Sequence, residues 1–324
     1  MKKAIVITTI NKTNESLERF SKTNYSLIII GDVKSPPGYD IECTYLNIAD
    51  QKKLFPDFCR HLKLNHYSRK NIGYLYCYLN GCDIIAESDD DNLPYKNWGI
   101  LQYPQETISG PKILNIFKLF TNKKIWPRGY PLELILSKQG LIRERKTENI
   151  MIMQGLVDGD TDTDALYRLI IGEKIIFDKN KSYALSPGVL SPFNTQNTFW
   201  VDRKAFIYSY LPSTVSFRYT DILRSFVAQY GIWKLGGAIG FSSPTVKQIR
   251  NDHNLLKDFQ DEYTMYTTFH EVITSLEKCN ITGGKDDILI MYESLIREKI
   301  VGRDELKALK IWSRYFSDNA SAAP

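Results

Sequence analysis

The sequence predicts an α/β fold organised around a parallel sheet, on three observations. Short apolar runs alternate with helix-patterned segments over the first 90 residues, as in strand–helix–strand units. One run, Cys82-Asp83-Ile84-Ile85-Ala86-Glu87-Ser88, breaks off into Asp89-Asp90-Asp91. From about Asn254 the apolar spacing becomes helical and the segments strongly charged.

In chain order, residues 4–10 read as a first buried strand. Met1-Lys2-Lys3 followed by an apolar run looks like the start of a signal peptide, but polar Asn11-Lys12-Thr13-Asn14 ends the run too soon. Residues 14–20 read as a short helix and 26–30 as a second strand, stopped by Gly31-Asp32. Pro36-Pro37-Gly38 makes a turn before a weaker strand at 43–46. Ser68 is the expected N-cap of a helix whose apolar face is Ile72, Leu75, Tyr76 and Leu79, with Gly81 as its stop. The next strand delivers the acids. Ligands of such sheets bind beyond the carboxyl ends of the strands, which puts Thr8, Thr9, Asp32 and the Asp89 cluster on one rim. Thr8 and Asp32 then face the base and ribose end of a nucleotide.

Three adjacent carboxylates repel one another, so a strand end carries them only if something offsets the charge. Hard cations such as Mg2+ or Mn2+ prefer carboxylate oxygens, and Asp-x-Asp at a strand end is how many sugar-nucleotide enzymes hold a metal against a diphosphate. The plainer reading is a solvated acidic turn. Arg69 and Lys70 fall in a helical first turn, where the macrodipole disfavours cations. They suggest a nearby anion such as phosphate, or else a surface pair.

The middle of the chain, residues 111–242, is irregular and aromatic. Its acidic run from Asp158 to Asp164 is no EF-hand, because the sixth position is Thr163 and the twelfth Leu169 where Gly and Glu are required. Asp162 or Asp164 is expected to cap a helix near 165–170 or to bind sugar. Ser191-Pro192-Phe193-Asn194-Thr195-Gln196 offers amides and hydroxyls suited to sugar hydroxyls, a mixture also common in ordered loops. Asp221 is the best single candidate for a general base, with helix capping as the alternative. Amphipathic helices are expected at 255–275, 286–297 and 303–315, and a disordered tail at 317–324.

Composition narrows the class. The 324 residues are 43% hydrophobic and 24% charged, and 42 basic against 37 acidic residues leave +5. The scattered excess argues against nucleic-acid binding and allows anionic substrates or an anionic membrane surface. Five cysteines without a CxxC pair point to reduced thiols in a cytosol-like compartment. No run reaches the about 18 apolar residues of a transmembrane helix. The expected location is cytoplasmic, with peripheral contact to a membrane surface allowed.

Several stretches, in order, form a further pattern: Ser68-Arg69-Lys70-Asn71-Ile72-Gly73-Tyr74, Glu87-Ser88-Asp89-Asp90-Asp91-Asn92, Trp126-Pro127-Arg128-Gly129-Tyr130-Pro131, Gly155-Leu156-Val157-Asp158-Gly159-Asp160, Val215-Ser216-Phe217-Arg218-Tyr219-Thr220-Asp221 and Gln248-Ile249-Arg250-Asn251-Asp252-His253-Asn254. The pattern resembles the STELLO family of glycosyltransferases over residues 1–255 and leaves the C-terminal helices uncovered. The resemblance implies a GT-A type fold, a mixed nucleotide-binding sheet flanked by helices. Residues 1–255 would form the transferase domain and 256–324 a helical extension. It also implies a nucleotide-sugar donor, with UDP-sugar the first choice, a glycan or lipid-linked acceptor, and Mn2+ or Mg2+. In GT-A enzymes the last Asp of the acidic motif and a later His hold the metal, which assigns Asp91 and His253 together with Asp89. The donor would meet Thr8, Asp32, Arg69, Asp89 and Asp90. The alternatives are a non-catalytic sugar-nucleotide-binding scaffold and, third, a nucleotidyltransferase, whose Gly-rich loop is missing from Thr8-Thr9-Ile10-Asn11-Lys12.

Overall fold

The computed structural model describes residues 1–250 and 254–316. His253 and the tail 317–324, both subjects of sequence expectations, lie outside the described residues. The mixed α/β sheet flanked by helices is present. The first half runs β1 (Lys3–Thr8), α1 (Glu15–Ser21), β2 (Ser26–Ile30), β3 (Thr44–Leu46), α2 (Ile48–Leu54), α3 (Pro56–Cys59), α4 (Lys70–Leu79), β4 (Ile84–Ser88), β5 (Asn92–Pro94), β6 (Thr107–Ser109) and β7 (Ile142–Glu144). The rest is β8 (Ile150–Gly159), α5 (Ala165–Ile170), β9 (Ser182–Leu185), β10 (Asn197–Trp200), α6 (Thr220–Lys234), β11 (Ala238–Gln248), α7 (Leu255–Thr267), α8 (Phe269–Glu277), α9 (Asp287–Arg297) and α10 (Glu305–Tyr315).

Among the described residues the strands form one eleven-stranded sheet in the order β3-β2-β1-β4-β10-β8-β11-β9-β6-β7, with β5 paired to β11. β1 to β4 pair in parallel. β10 is antiparallel to both β4 and β8, so β8 again points the same way as β4, and β11 is parallel to β8. The carboxyl ends of β1, β2, β4, β8 and β11 therefore share one rim. Buried residues alternate between two apolar clusters along β1, with Ala4 and Val6 in one and Ile5 and Ile7 in the other, as for a strand covered on both faces. At Gly73 an added Cβ would lie 2.3 Å from Val6 Cγ1, so the missing side chain lets α4 lie directly on β1.

Local differences from expectation have local causes. Ser68 does not cap α4. A 3-10 turn, Tyr67–Arg69, precedes that helix, and the His66 side chain accepts from the Ser68 N–H at 3.1 Å. Gly81 follows the helix at φ 74°, as expected of its stop. Asp221 sits inside the first turn of α6, whose cap residue Tyr219 makes no side-chain cap. Residues 255–277 form two helices because the chain turns at Thr268 (φ −111°, ψ 7°).

The C-terminal helices share the main core. Val272, Met291, Leu295, Leu309 and Trp312 belong to the same cluster as Val6, Ile85 and Ile152. Two buried glutamates bind them to the sheet half. Glu305 accepts from Tyr210 Oη at 2.5 Å, from Ser213 N at 3.0 Å and from Thr214 N at 2.8 Å. Glu262 accepts from Ala165 N at 2.7 Å.

Glu87 of β4 and Arg224 of α6 form a fully buried ion pair, with Arg224 Nη1 2.9 Å and 3.0 Å from the two carboxylate oxygens. Tyr74 Oη and Trp200 Nε1 also donate to Glu87, and the guanidinium lies 5.2 Å from the ring centres of Phe193 and Trp200. Breaking a buried pair from one side leaves an uncompensated charge, which costs about 3–5 kcal/mol. Arg224→Met is therefore expected to lower unfolding stability by that amount in urea titrations, and Glu87→Leu combined with Arg224→Met to recover part of it. A double variant less stable than the sum of the singles would refute the pairing account.

Candidate active site

A cleft of about 450 Å³ opens on the shared rim and is lined by residues following β1, β2, β4, β8 and β11. It gathers the described residues assigned from the sequence to donor, metal and base: Thr8, Asp32, Arg69, Asp89, Asp90, Asp91 and Asp221.

At the β1–β2 end, Thr8 Oγ1 is buried without a hydrogen-bond partner. Asp32 is fixed by backbone, accepting from Val33 N at 2.7 Å and from His66 N at 3.3 Å. Arg69 is 2% exposed, and its Nε donates to Gln51 Oε1 at 2.9 Å. Its hydrogen-bonding partner is thus an uncharged amide.

The three acids differ. Asp90 turns towards β1, accepting from Thr9 Oγ1 and, at 2.9 Å, from Asn11 Nδ2. Asp89 is paired with Lys70, whose fully buried Nζ lies 3.2 Å from Oδ1 and also donates to Ser88 O at 2.7 Å and Tyr67 Oη at 2.9 Å. Tyr67 Oη in turn donates to Asp89 at 2.6 Å. Among the described residues Asp91 has no ion-pair partner. Oδ2 accepts from Gln248 Nε2 at 2.9 Å, while Oδ1 is buried with no partner. Burial first, and then the charge of Asp89, push its carboxyl up to about 7. β5 sets this geometry by pairing Asn92 with Gln248 of β11.

The far wall is built on Arg128, presented by a turn in which Gly129 has φ 86° and an added Cβ would meet Ile222 Cγ2 at 2.3 Å. Arg128 bridges two buried carboxylates. Nε and Nη2 reach Asp162 at 2.8 Å each, and Nη1 and Nη2 reach Asp221 at 3.0 and 2.9 Å. Burial would raise the Asp162 carboxyl, but the charge and hydrogen bonds of Arg128, with Arg218 and Arg250 nearby, hold it at about 2. Arg218 Nε meets Glu262 of α7 at 2.5 Å. Phe217, 55% exposed, projects beside Tyr67 with ring centres 5.3 Å apart.

The rest of the acidic run is structural. Asp164 caps α5 through Tyr167 N at 2.7 Å, and Asp158 is buried against Lys179 at 2.5 Å. Asp162 joins the cleft and not the cap. Lys70 is corrected too: its anion is Asp89, a partner 19 positions away that the local pattern does not reveal. Arg128, Phe217, Arg218, Gln248 and Arg250 were present in the quoted stretches without a role, and Asp162 was expected only as a cap or a sugar ligand. Only the clustering of polar residues in loops after strands marked them. The five cysteines are free thiols. Among the described residues no group of three or more His, Cys, Asp or Glu is placed to hold a metal, and no helix is long and apolar enough to cross a membrane.

A family model described as STELLO glycosyltransferases matches residues 218–319. Two Arabidopsis thaliana proteins are similar. Probable glycosyltransferase STELLO2 is 27% identical over 301 residues, which is 85% of this chain and 39% of that protein. Probable glycosyltransferase STELLO1 is 27% identical over 270 residues, 75% of this chain and 35% of that protein. The chain thus spans less than two fifths of the length of these curated relatives. Among solved structures, glucosyl-3-phosphoglycerate synthase of Mycobacterium tuberculosis, crystallised with phosphoglyceric acid, aligns at 12% identity and TM-score 0.37, covering 85% of this chain and 78% of that one. The chain is STELLO-like. The matched region corrects the expected extent of the resemblance, because it includes the C-terminal helices.

The pH dependence of stability tests the isolation of Asp91. Its folded carboxyl titrates at about 7 and the unfolded one near ~4, so the native state binds the extra proton between those values. Its contribution to stability therefore falls as pH rises through that window. In EDTA, Asp91→Asn is expected to raise the unfolding midpoint at pH 8 and to leave it near wild type at pH 5. A larger gain at pH 5 would contradict the assignment.

Proposed function

We propose that this chain transfers a sugar from a nucleotide-sugar donor, with UDP-sugars the first class to test, to a hydroxyl of a glycan or lipid-linked acceptor. The observation that supports this most is the unpartnered, charge-disfavoured Asp91 carboxylate beside Asp89, at the carboxyl ends of the strands that carry Thr8 and Asp32. The donor set fits a hard divalent cation, because a carboxylate with a buried free oxygen gains from one. Asp89 and Asp91 would hold Mn2+ or Mg2+. His253, the third residue assigned from the sequence, lies outside the described residues. Such a cation is commonly bound by one or two carboxylates, with substrate phosphates and water completing the shell. When bound, it supplies Lewis-acid neutralisation of charge on the leaving diphosphate.

The chain's own groups do the rest. Thr8 Oγ1 is free to meet the nucleoside, and Asp32 is oriented by two backbone N–H groups. Arg69 is a buried guanidinium with no carboxylate at ion-pair distance among the described residues, which suits a donor phosphate. Lys70 and Tyr67 hold Asp89 in place. Asp221 is the residue whose proposed role changes. Both of its oxygens are hydrogen-bonded to Arg128, so we assign it to positioning the acceptor-side wall. That favours transfer without a dedicated base, in which the attacking hydroxyl passes its proton to the departing phosphate oxygen, and it predicts a product that retains the donor's anomeric configuration.

Thermal unfolding with a panel of UDP-, GDP- and CMP-sugars, each with and without Mn2+, tests the donor site. One metal-dependent shift is expected, and Asp91→Ala should remove both the shift and turnover. No shift with any member would refute the donor site, and a shift without hydrolysis or transfer would leave a binding scaffold instead. Asp221→Asn should lower turnover by less than about 10-fold, against roughly 10²–10⁴ for loss of a general base. A loss in that larger range, with an inverted product by NMR, would return Asp221 to the role of base.

A further inference from the structure

Two guanidiniums line the cleft without a carboxylate partner among the described residues, and they stand on opposite sides of β4. Arg69 lies on the β1–β2 side, at the foot of α4, where the donor reading uses it. Arg250 lies on the other side, just after β11. It donates from Nη2 to Asp160 O at 3.2 Å and to Gln248 Oε1 at 3.1 Å, both uncharged, and its Nε is buried with no partner among the described residues. Beside it, Arg218 spends Nε on Glu262 but leaves Nη2 buried and unpartnered. Buried charges and donors are normally paired, so each of these N–H groups lacks an acceptor that a ligand would supply. Phe217 adds an exposed aromatic face on the same wall. Aromatic area next to forked donors suits a sugar ring bearing an oxyanion, which a guanidinium recognises through two N–H groups.

We propose that Arg250, Arg218 and Phe217 form an acceptor subsite for a saccharide that carries a carboxylate or phosphate group. The subsite rests on the glycosyl-transfer reading for its name, and on the geometry alone for its anion. A donor diphosphate is the competing source of the oxyanion. Gln248 links Asp91 to Arg250, so a diphosphate held at Asp91 reaches this wall, and competition by the nucleotide decides between the two sources.

Thermal unfolding with inorganic phosphate and with glucuronate as probes tests the subsite, in the presence and absence of saturating UDP, GDP or CMP with Mn2+. At ten times the dissociation constant a rise of about 2 °C is expected from mass action. The rise should persist with nucleotide bound. It should disappear in Arg250→Gln, which leaves no buried charge unpaired, and for glucuronate it should weaken in Phe217→Ala. Phosphate binding abolished by the nucleotide would overturn the proposal and assign the arginines to the donor, and absence of any rise would overturn it outright. A nucleotide shift that survives Arg250→Gln supports the separation of the two sites. If no nucleotide shifts the wild type while Arg250-dependent phosphate binding remains, the donor reading fails and the anion site stands.

Discussion

The geometry of the cleft depends on the buried Glu87–Arg224 pair. Glu87 precedes Asp89 by two residues on β4, and Arg224 projects from α6 less than one turn beyond Asp221. The pair therefore fixes the distance between the strand that carries the acids and the helix that carries the far wall. Two charges with no exposure cost several kcal/mol each to desolvate, and a hydrophobic pair of similar volume would often be as stable. What an apolar pair would not provide is direction. Tyr74 of α4, Trp200 of β10 and the carbonyl of Asn194 all join the network, so five segments meet with one set of hydrogen bonds. Slippage of β4 by one residue would move Glu87 to the opposite face and leave Arg224 unpaired. On this view the pair is a register lock for the rim.

Charge in the cleft divides into what the chain balances itself and what it leaves open. Lys70 balances Asp89, and Arg128 binds both Asp162 and Asp221. The open groups are the Asp91 carboxylate, the Arg69 and Arg250 guanidiniums and one nitrogen of Arg218. They alternate across the cleft as cationic, anionic and cationic positions. An anionic ligand with its own cation, followed by a second anion, meets that order without requiring the protein to rearrange.

The strands up to β4 were legible because buried parallel strands are continuous apolar runs and their ends are marked by Gly or Asp. The candidate residues Thr8, Asp32 and Asp89 to Asp91 were legible for the same reason, since the carboxyl end of each strand fixes their place. Side-chain pairing was not. Lys70 looks like any cation in a helical first turn, and its partner is set by how α4 lies on β1, which depends on Gly73. Arg128 meets Asp221 across 93 positions through a glycine turn, and no local pattern carries that information. Asp221 therefore read as an available base when it is half of an ion pair. The break at Thr268 was missed because amphipathic spacing continues across it.

The C-terminal helices also change meaning once placed. As sequence they are a charged amphipathic tail to a nucleotide-binding sheet. In the fold, their two buried glutamates hold the loop that leads into α6: Glu305 takes the N–H groups of Ser213 and Thr214, and Glu262 takes Arg218. That loop carries Phe217, so the aromatic and cationic part of the far wall is held from behind by α7 and α10. An exposed ring and a guanidinium in an irregular loop would otherwise sample many rotamers, and ordering them at binding would cost about 0.5–1.5 kcal/mol for each side chain. With the glutamates in place this ordering is part of folding. The STELLO family model matches this region, from Arg218 through α10. Through these two glutamates the helices support the far wall of the cleft.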